Sequence, residues 1–509
     1  MSHEHVDVLI VGAGISGIGA AWHLQHLCPG RSWAILEGRG DLGGTWDLFR
    51  YPGIRSDSDM YTLGYSFRPW TDAKAIADGP SIMRYLRATA AESGIDAQIR
   101  YRHFVRAARF DSAAARWEVE VEIRDESGAA LEEKTITCGF LQMCTGYYNY
   151  AEGHMPAFPG ADAYAGTLVH PQHWPEDLDY SGKRVVVIGS GATAVTLVPE
   201  MAKDAAHVTM LQRSPTYVVA RPDEDGIANW LRARLPAKVA YGLTRWKNIL
   251  MGQFFYWRSR KSPEKVKEFI LDQVRPRLGA DYVAEHFTPR YDPWDQRMCL
   301  VPNGDLFDAI ENQRASVVTD TIDTFTPEGI RLTGGETLEA DIVVAATGLK
   351  LQFLSDIALS VDGVPVDIRE AHIYKGMMMS GVPNMAWSMG YTNASWTLKC
   401  DLTCAYVCRL LDHMEKTGTV IATPQTGSED PGDEPMMDLT SGYVQRAMAL
   451  FPKQGTHAPW KLYQNYTRDL LMLRFGAVED GVMNFTQASA AVGEGAEPSA
   501  SGAAMDRAA

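Results

Sequence analysis

The sequence predicts an α/β protein with two separate βαβ units and a helical insertion. Three observations carry this. A short apolar run, a glycine-rich loop and a helical pattern follow one another twice, starting at Val6 and again at Lys183. Both runs are β-branched and nearly continuous, as suits parallel strands covered on both faces. Between Pro222 and Asp295 the glycine loops stop, and long helical patterns rich in Trp, Tyr, Lys and Arg replace them.

Taken in order, VDVLIVG (Val6 to Gly12) reads as the first strand, Ile15 to about Leu27 as a helix, and SWAILE (Ser32 to Glu37) as the second strand. The same grammar returns as KRVVVIG (Lys183 to Gly189), a helix from about Ala192 to Ala202, and HVTMLQR (His207 to Arg213). Further strands are expected at GIRL (Gly329 to Leu332) and DIVVAATG (Asp341 to Gly348). From about Ala488 the chain is Ala, Gly, Ser and Glu without periodicity, the composition of a disordered tail. The opening MSHEHVDVLIVGAG lacks the basic n-region of a signal peptide, so its apolar run reads as a strand. No stretch approaches the roughly 20 uninterrupted apolar residues of a membrane-spanning helix.

Length and composition narrow the function classes. At about 150 residues per domain, 509 residues imply several domains. Apolar residues make up 46% and charged residues 22%, the proportions of a folded globular chain. Lys plus Arg number 48 and Asp plus Glu 63, a formal charge of −15, which opposes broad attraction to nucleic acid or anionic lipid. No nucleic-acid partner is expected. Residues 230–277 depart from this balance with 12 Lys or Arg against 3 Asp or Glu. A solvated helical lid is the favoured reading of that segment; a peripheral membrane or partner surface using Trp246, Phe254, Phe255 and Trp257 is the sharper one. Seven scattered cysteines make no disulfide framework and fit a reducing, cytoplasmic setting. Cys400, Cys404 and Cys408 recur every four residues along one helical face, where core packing outweighs metal or redox work.

The glycine loops carry the chemistry. GAGISG (Gly12 to Gly17) fits G-x-G-x-x-G between a strand and a helix, the context that gives the motif meaning. Gly12 permits the tight turn, Gly14 lets backbone approach a pyrophosphate, Gly17 allows close helix packing, and the helix N-terminus stabilises phosphate charge. Glu37, 20 residues after Gly17, is placed to accept hydrogen bonds from a ribose diol. GSGATA (Gly189 to Ala194) is a second such loop, with Gly189 and Gly191 in the first two places and a tolerated Ala in the third. Its strand ends differently. Arg213 lies 19 residues after Ala194, followed by Ser214, and a guanidinium there binds a 2′-phosphate that an acid would repel, so NADPH is expected over NADH. Two Rossmann-like dinucleotide-binding domains in one chain imply hydride transfer from nicotinamide to a flavin. With no C-x-x-C pair to receive the electrons, molecular oxygen is the expected acceptor.

Two longer motifs carry a family resemblance. GGTWDLFRYPGIRSD (Gly43 to Asp57) matches [AG]-G-x-W-x4-[FY]-P-G-x3-D at every fixed position, and YAGTLVHPQHWP (Tyr164 to Pro175) matches [FY]-x-G-x3-H-x3-W-[PD] at Tyr164, Gly166, His170, Trp174 and Pro175. In both, and in their order beside the glycine loops, the chain resembles the type I Baeyer–Villiger monooxygenases, flavoproteins that convert ketones to esters. YDPWDQRMCLVPNGDLF and GYTNASWTLK narrow the likeness to the subgroup of ethionamide-activating monooxygenases, which also oxidise thioamide and thioether sulfur. The resemblance spans roughly residues 5 to 485.

What the resemblance implies is specific. FAD and NADPH are the cofactors, dioxygen and a small ketone or sulfide the reactants, and the reaction runs through a C4a-peroxyflavin. A flavin N- or S-oxygenase acting mainly on heteroatoms is the alternative. Gly44, Thr45 and Trp46 fall beside the flavin. Arg297 corresponds to the arginine over the flavin and Asp57 to the carboxylate that positions it. His170 is favoured as structural at the domain junction rather than as a base. Many members carry Lys just before the active-site Arg; this chain has Gln296, which leaves Arg213 as the main charged determinant for NADPH. The expected division is an FAD-binding domain from 1–150 and 348–487, an NADP-binding domain from 151–222 and 297–347, a helical insertion at 223–296 and the tail at 488–509. The Met-rich stretch Tyr374 to Trp387 is read as a buried strand in preference to a pocket wall, and Asn393 as within reach of the cofactor.

Overall fold

The computed structural model describes residues 4–427 and 430–487; the expected tail at 488–509 lies outside the described residues. The strand Glu4–Val11 runs through a nine-stranded sheet, paired in parallel with Trp33–Leu36 on one side and with Ala130–Met143 on the other. Val8, Leu9 and Ile10 are fully buried, which is why its apolar residues run on without alternating. The helix Ile15–Leu27 follows and packs against a second helix, Trp396–Thr417. Ser16 joins the two: its hydroxyl accepts from the Trp396 indole N–H at 2.8 Å and donates to Cys400 Sγ at 3.4 Å. Cys400, Cys404 and Cys408 are buried on that second helix, and burial pushes the Cys400 and Cys404 thiols up. They serve packing, as their spacing predicts.

The same helix is tied to the C-terminal segment by a buried ion pair. Lys399 Nζ donates to Asp469 Oδ2 at 2.8 Å, and Tyr391 donates its hydroxyl to the same oxygen at 2.8 Å. Met377, Met378, Met379 and Met385 are buried, and Met385–Trp387 adds a short parallel strand beside Ala130–Met143. The Met-rich stretch is therefore core and strand.

A five-stranded parallel sheet forms the second unit, in the order Ala315–Thr319, His207–Gln212, Arg184–Ile188, Ile342–Ala345, Thr167–Val169. Its helix, Ala192–Met201, follows the second glycine loop. The strands Val218–Arg221 and Cys299–Pro302 pair side by side, so the chain leaves and re-enters at one place. Between them lie the helices Gly226–Arg232, Ala237–Lys261, Pro263–Leu278 and Ala280–His286. The long helix Ala237–Lys261 also reaches the first unit. Arg245 donates to the carbonyls of Tyr61 at 2.8 Å and Gly64 at 2.7 Å and pairs with Asp401 at 3.4 Å, while the Tyr241 hydroxyl donates to the Tyr65 carbonyl at 2.8 Å.

The chain crosses between the units on two antiparallel segments, Tyr148–Gly153 and Leu349–Leu351; the first runs through residue 150. His170 sits at this crossing. Its Nε2 donates to the Gly348 carbonyl at 3.2 Å and its Nδ1 accepts from the Gln172 N–H at 3.2 Å. A Cβ on Gly153 would lie 2.0 Å from the His170 ring, so glycine there lets imidazole and strand meet. Among the described residues, no helix is long and apolar enough to cross a membrane.

Candidate active site

Both glycine loops open onto one cavity of about 1180 Å³, larger than the usual small-ligand pocket of about 300–1,000 Å³. The backbone shapes its first end. Gly12 takes φ +105°, and a Cβ there would lie 2.5 Å from the Cys144 carbonyl oxygen. Gly14 caps the helix Ile15–Leu27 with no side-chain hydrogen bond, which leaves the N-terminal N–H groups to an anion. Gly44 folds over this loop at φ +57°, with its Cβ position 3.2 Å from Gly14 Cα, and Thr45 Oγ1 meets the Tyr150 hydroxyl at 3.3 Å. Trp46 lines the same wall.

Glu37 lies at the end of the second strand with its carboxylate on the cavity. It accepts from the Ala13 N–H at 2.7 Å and the Arg39 N–H at 2.8 Å. Burial raises its pKa, against the lowering effect of those two donors. Each oxygen keeps a lone pair for a further donor. Gly17 takes the packing role expected of the third glycine. A Cβ there would sit 1.8 Å from the Gly12 carbonyl oxygen, so its place is in closing helix onto strand.

The second loop repeats the design at the other end. Gly189 takes φ +135° with its Cβ position 2.4 Å from the Ala346 carbonyl oxygen, whereas a Cβ on Gly191 would meet nothing within 4 Å. Gly191 caps its helix without a side-chain bond. Arg213 and Ser214 stand exposed on this wall, and Ser190 donates its hydroxyl to the Ser214 carbonyl at 3.2 Å. Arg213 has no carboxylate partner among the described residues, so its charge faces the cavity unneutralised.

Arg297 and Asp57 also line the cavity. Nη2 of Arg297 lies 3.6 Å from Oδ2 of Asp57. That carboxylate is the main cause holding the guanidinium above its usual range, outweighing the opposing effect of burial. Gln296 sits beside it on the wall. Asn393 is elsewhere, donating to the Gln464 carbonyl at 3.0 Å, which corrects its expected reach to the cofactor.

A tyrosine cluster that the motifs did not reveal surrounds the arginine. The Tyr147 and Tyr148 hydroxyls meet at 3.0 Å, and the Tyr147 ring stacks on Trp396 with centroids 5.1 Å apart. Tyr443 and Arg446 come from a distant segment to the same wall. Burial pushes the Tyr443 phenol up to about 12, so it stays protonated and can donate. Tyr147 and Tyr148 lie four and five residues past the long strand Ala130–Met143, and this nearness to a strand end was the one available signal for them.

Comparison with known proteins follows the same lines. Residues 6–377 match the FMO-like family, described as flavin-binding monooxygenase-like. The chain is 53% identical over 492 residues to the FAD-containing monooxygenase EthA of Mycobacterium tuberculosis, covering 96% of this chain and 99% of that protein. It is 49% identical over 484 residues to the probable FAD-binding monooxygenase AlmA of Acinetobacter baylyi, covering 95% and 96%. Among solved structures, oxidized steroid monooxygenase bound to NADP superposes with a TM-score of 0.72 over 95% of this chain and 100% of that one, at 21% identity. OTEMO in complex with FAD and NADP superposes with a TM-score of 0.68 over 84% and 88%, at 22% identity. The fold is thus that of a two-dinucleotide α/β protein, and the family resemblance read from the sequence motifs is borne out: the chain belongs to the flavin-binding monooxygenase-like family and is a flavin-dependent monooxygenase.

Proposed function

We propose that the protein uses NADPH, dioxygen and bound FAD to convert ketones to esters or lactones, with secondary activity on thioether or thioamide sulfur. The observation that carries this reading is the Arg297–Asp57 pair on a cavity that runs from one glycine loop to the other. The residues fit both dinucleotides. The uncapped helix end at Gly14, with Glu37, Gly44, Thr45 and Trp46, would hold FAD; the uncapped end at Gly191, with Gly189, Arg213 and Ser214, would hold NADPH. On this reading residues 1–150 and 348–487 form the FAD side, 151–222 and 297–347 the NADP side, and 223–296 the insertion.

Bound FAD supplies the chemistry that takes hydride from NADPH and activates oxygen. The protein supplies position and charge. Arg297 stays cationic across the working pH range, because Asp57 raises its pKa further. It opposes the negative charge that develops on the carbonyl oxygen of the ketone as the new C–O bond forms. Asp57 holds the guanidinium in place, and Tyr147, Tyr148 and Tyr443 wall the site against water. His170, with both ring nitrogens engaged by backbone, positions the crossing between the units.

The test is product mass spectrometry after supplying FAD-loaded protein, NADPH, labelled oxygen gas and a panel of linear, cyclic and aryl ketones with one thioether. An ester carrying one labelled atom supports the proposal. A labelled sulfoxide without any ester replaces it with heteroatom oxygenation. The coenzyme preference has its own test. Arg213→Ala is expected to raise KM for NADPH by about tenfold or more, the loss of a charge-assisted hydrogen bond, with little change for NADH. Equal effects on the two coenzymes would remove the 2′-phosphate role from Arg213.

A further inference from the structure

Among the described residues, 18 large hydrophobic side chains stand exposed, and 10 of them belong to the helical insertion. They are ordered. On the helix Ala237–Lys261, Val239, Leu243, Trp246, Leu250 and Trp257 recur at intervals of four, three, four and seven residues, which places them on one face. The stripe is about 27 Å long at 1.5 Å per residue. Phe254 flanks it with 63% exposure. The opposite face, with Tyr241, Thr244 and Arg245, is the one buried against the protein. Among the described residues, the ridge is left open along most of its length. Beside it runs the segment Tyr466–Phe475, joined through the Trp246 and Tyr466 rings at 5.8 Å, and this segment exposes Leu471 and Phe475.

The charge around the ridge is as unusual as its apolarity. Lys247, Arg260, Arg275 and Arg277 are paired with carboxylates. Arg234, Lys238, Arg258, Lys261, Lys265 and Lys267 meet none among the described residues. Two of these lie over exposed aromatics of the insertion: Arg234 is 4.5 Å from the Trp230 ring centroid, and Lys261 is 5.0 Å from that of Trp257 on the ridge. A protein of formal charge −15 thus carries unpaired cations in the same insertion that holds most of its exposed large hydrophobic side chains. Soluble monomers rarely leave such a patch to water.

We propose that this ridge seats on an anionic lipid surface, with the helix Ala237–Lys261 lying in the plane of the headgroups. Its aromatic and aliphatic side chains enter the acyl boundary and its unpaired lysines and arginines meet lipid phosphates. A second copy of the chain fits less well. A twofold contact through this face would bring the same unpaired cations of both copies close together. The sequence favoured a solvated lid for this segment because composition does not show which helical face turns outward; the structure turns the apolar face out.

Vesicle flotation of the full-length, FAD-loaded protein tests this without reference to its reaction. Vesicles containing phosphatidylglycerol should carry at least about tenfold more protein than phosphatidylcholine vesicles at low salt, and high salt should release it. The double variant Leu250→Asp with Trp257→Asp should lower the floated fraction about tenfold, and so should Lys261→Glu with Lys265→Glu. Circular dichroism and FAD content should stay unchanged in both, since all four side chains face solvent. Absence of flotation on either vesicle overturns the proposal, as does flotation indifferent to lipid charge. A concentration-dependent dimer that the first double variant abolishes, without flotation, assigns the ridge to a second copy instead.

Discussion

Arg297→Ala is expected to lower formation of oxygenated product by about a hundredfold or more, the effect of losing a preorganised electrostatic stabiliser. NADPH-driven reduction of the flavin should remain measurable, because the substitution leaves Arg213 and the Gly191 loop in place. The split between the two half-reactions is the informative part. Stopped-flow absorbance follows flavin reduction, and product mass spectrometry follows oxygenation. A folded, FAD-loaded variant that still forms ester at a near-normal rate would end the assignment. Lysine at this position keeps the charge but not the planar fork that faces Asp57, so Arg297→Lys should recover only part of the loss.

A second large effect is expected far from the cavity. Lys399→Met removes one partner of an ion pair whose side chains are each only 5% exposed. It leaves Asp469 with the Tyr391 hydroxyl as its remaining close donor. Breaking a buried pair from one side costs about 3–5 kcal/mol, because the other charge stays desolvated. Urea denaturation of the FAD-loaded variant should show this as a lowered midpoint at unchanged slope. Pairing Lys399→Met with Asp469→Leu should restore most of the loss. A single variant within about 0.5 kcal/mol of the parent would show that water reaches Asp469.

Much of this was legible in the sequence because local rules agree there. The helix Ile15–Leu27 occupies the span its pattern gave. Arg213 follows directly on the strand His207–Gln212, since strand, loop and helix lengths fix a βαβ unit almost by themselves. The cavity wall was less legible where it is assembled from distant segments. Tyr443 and Arg446 meet Tyr147 and Tyr148 only after nearly 300 intervening residues have folded, and no spacing encodes that. The antiparallel pair of strands His103–Asp111 and Arg116–Arg124 also went unread. The second alternates buried with half-buried positions and a bulge breaks the alternation of the first, a pattern weaker than the continuous runs beside the glycine loops. Asn393 failed for a related reason: its motif marks the neighbourhood of a site, while the side chain turns toward Gln464.

Arg245 changes what counts as a domain in this molecule. Its guanidinium leaves the insertion, crosses to the other unit and binds backbone carbonyls there. Severed from the first unit, Arg245 would lose these acceptors and Asp401 to water, and the inner face of the helix Ala237–Lys261 would be bare. The insertion is thus packing shared by both units, although each has a sheet of its own. The two are stitched together by a side chain that belongs, by sequence, to one bank and, by its hydrogen bonds, to the other.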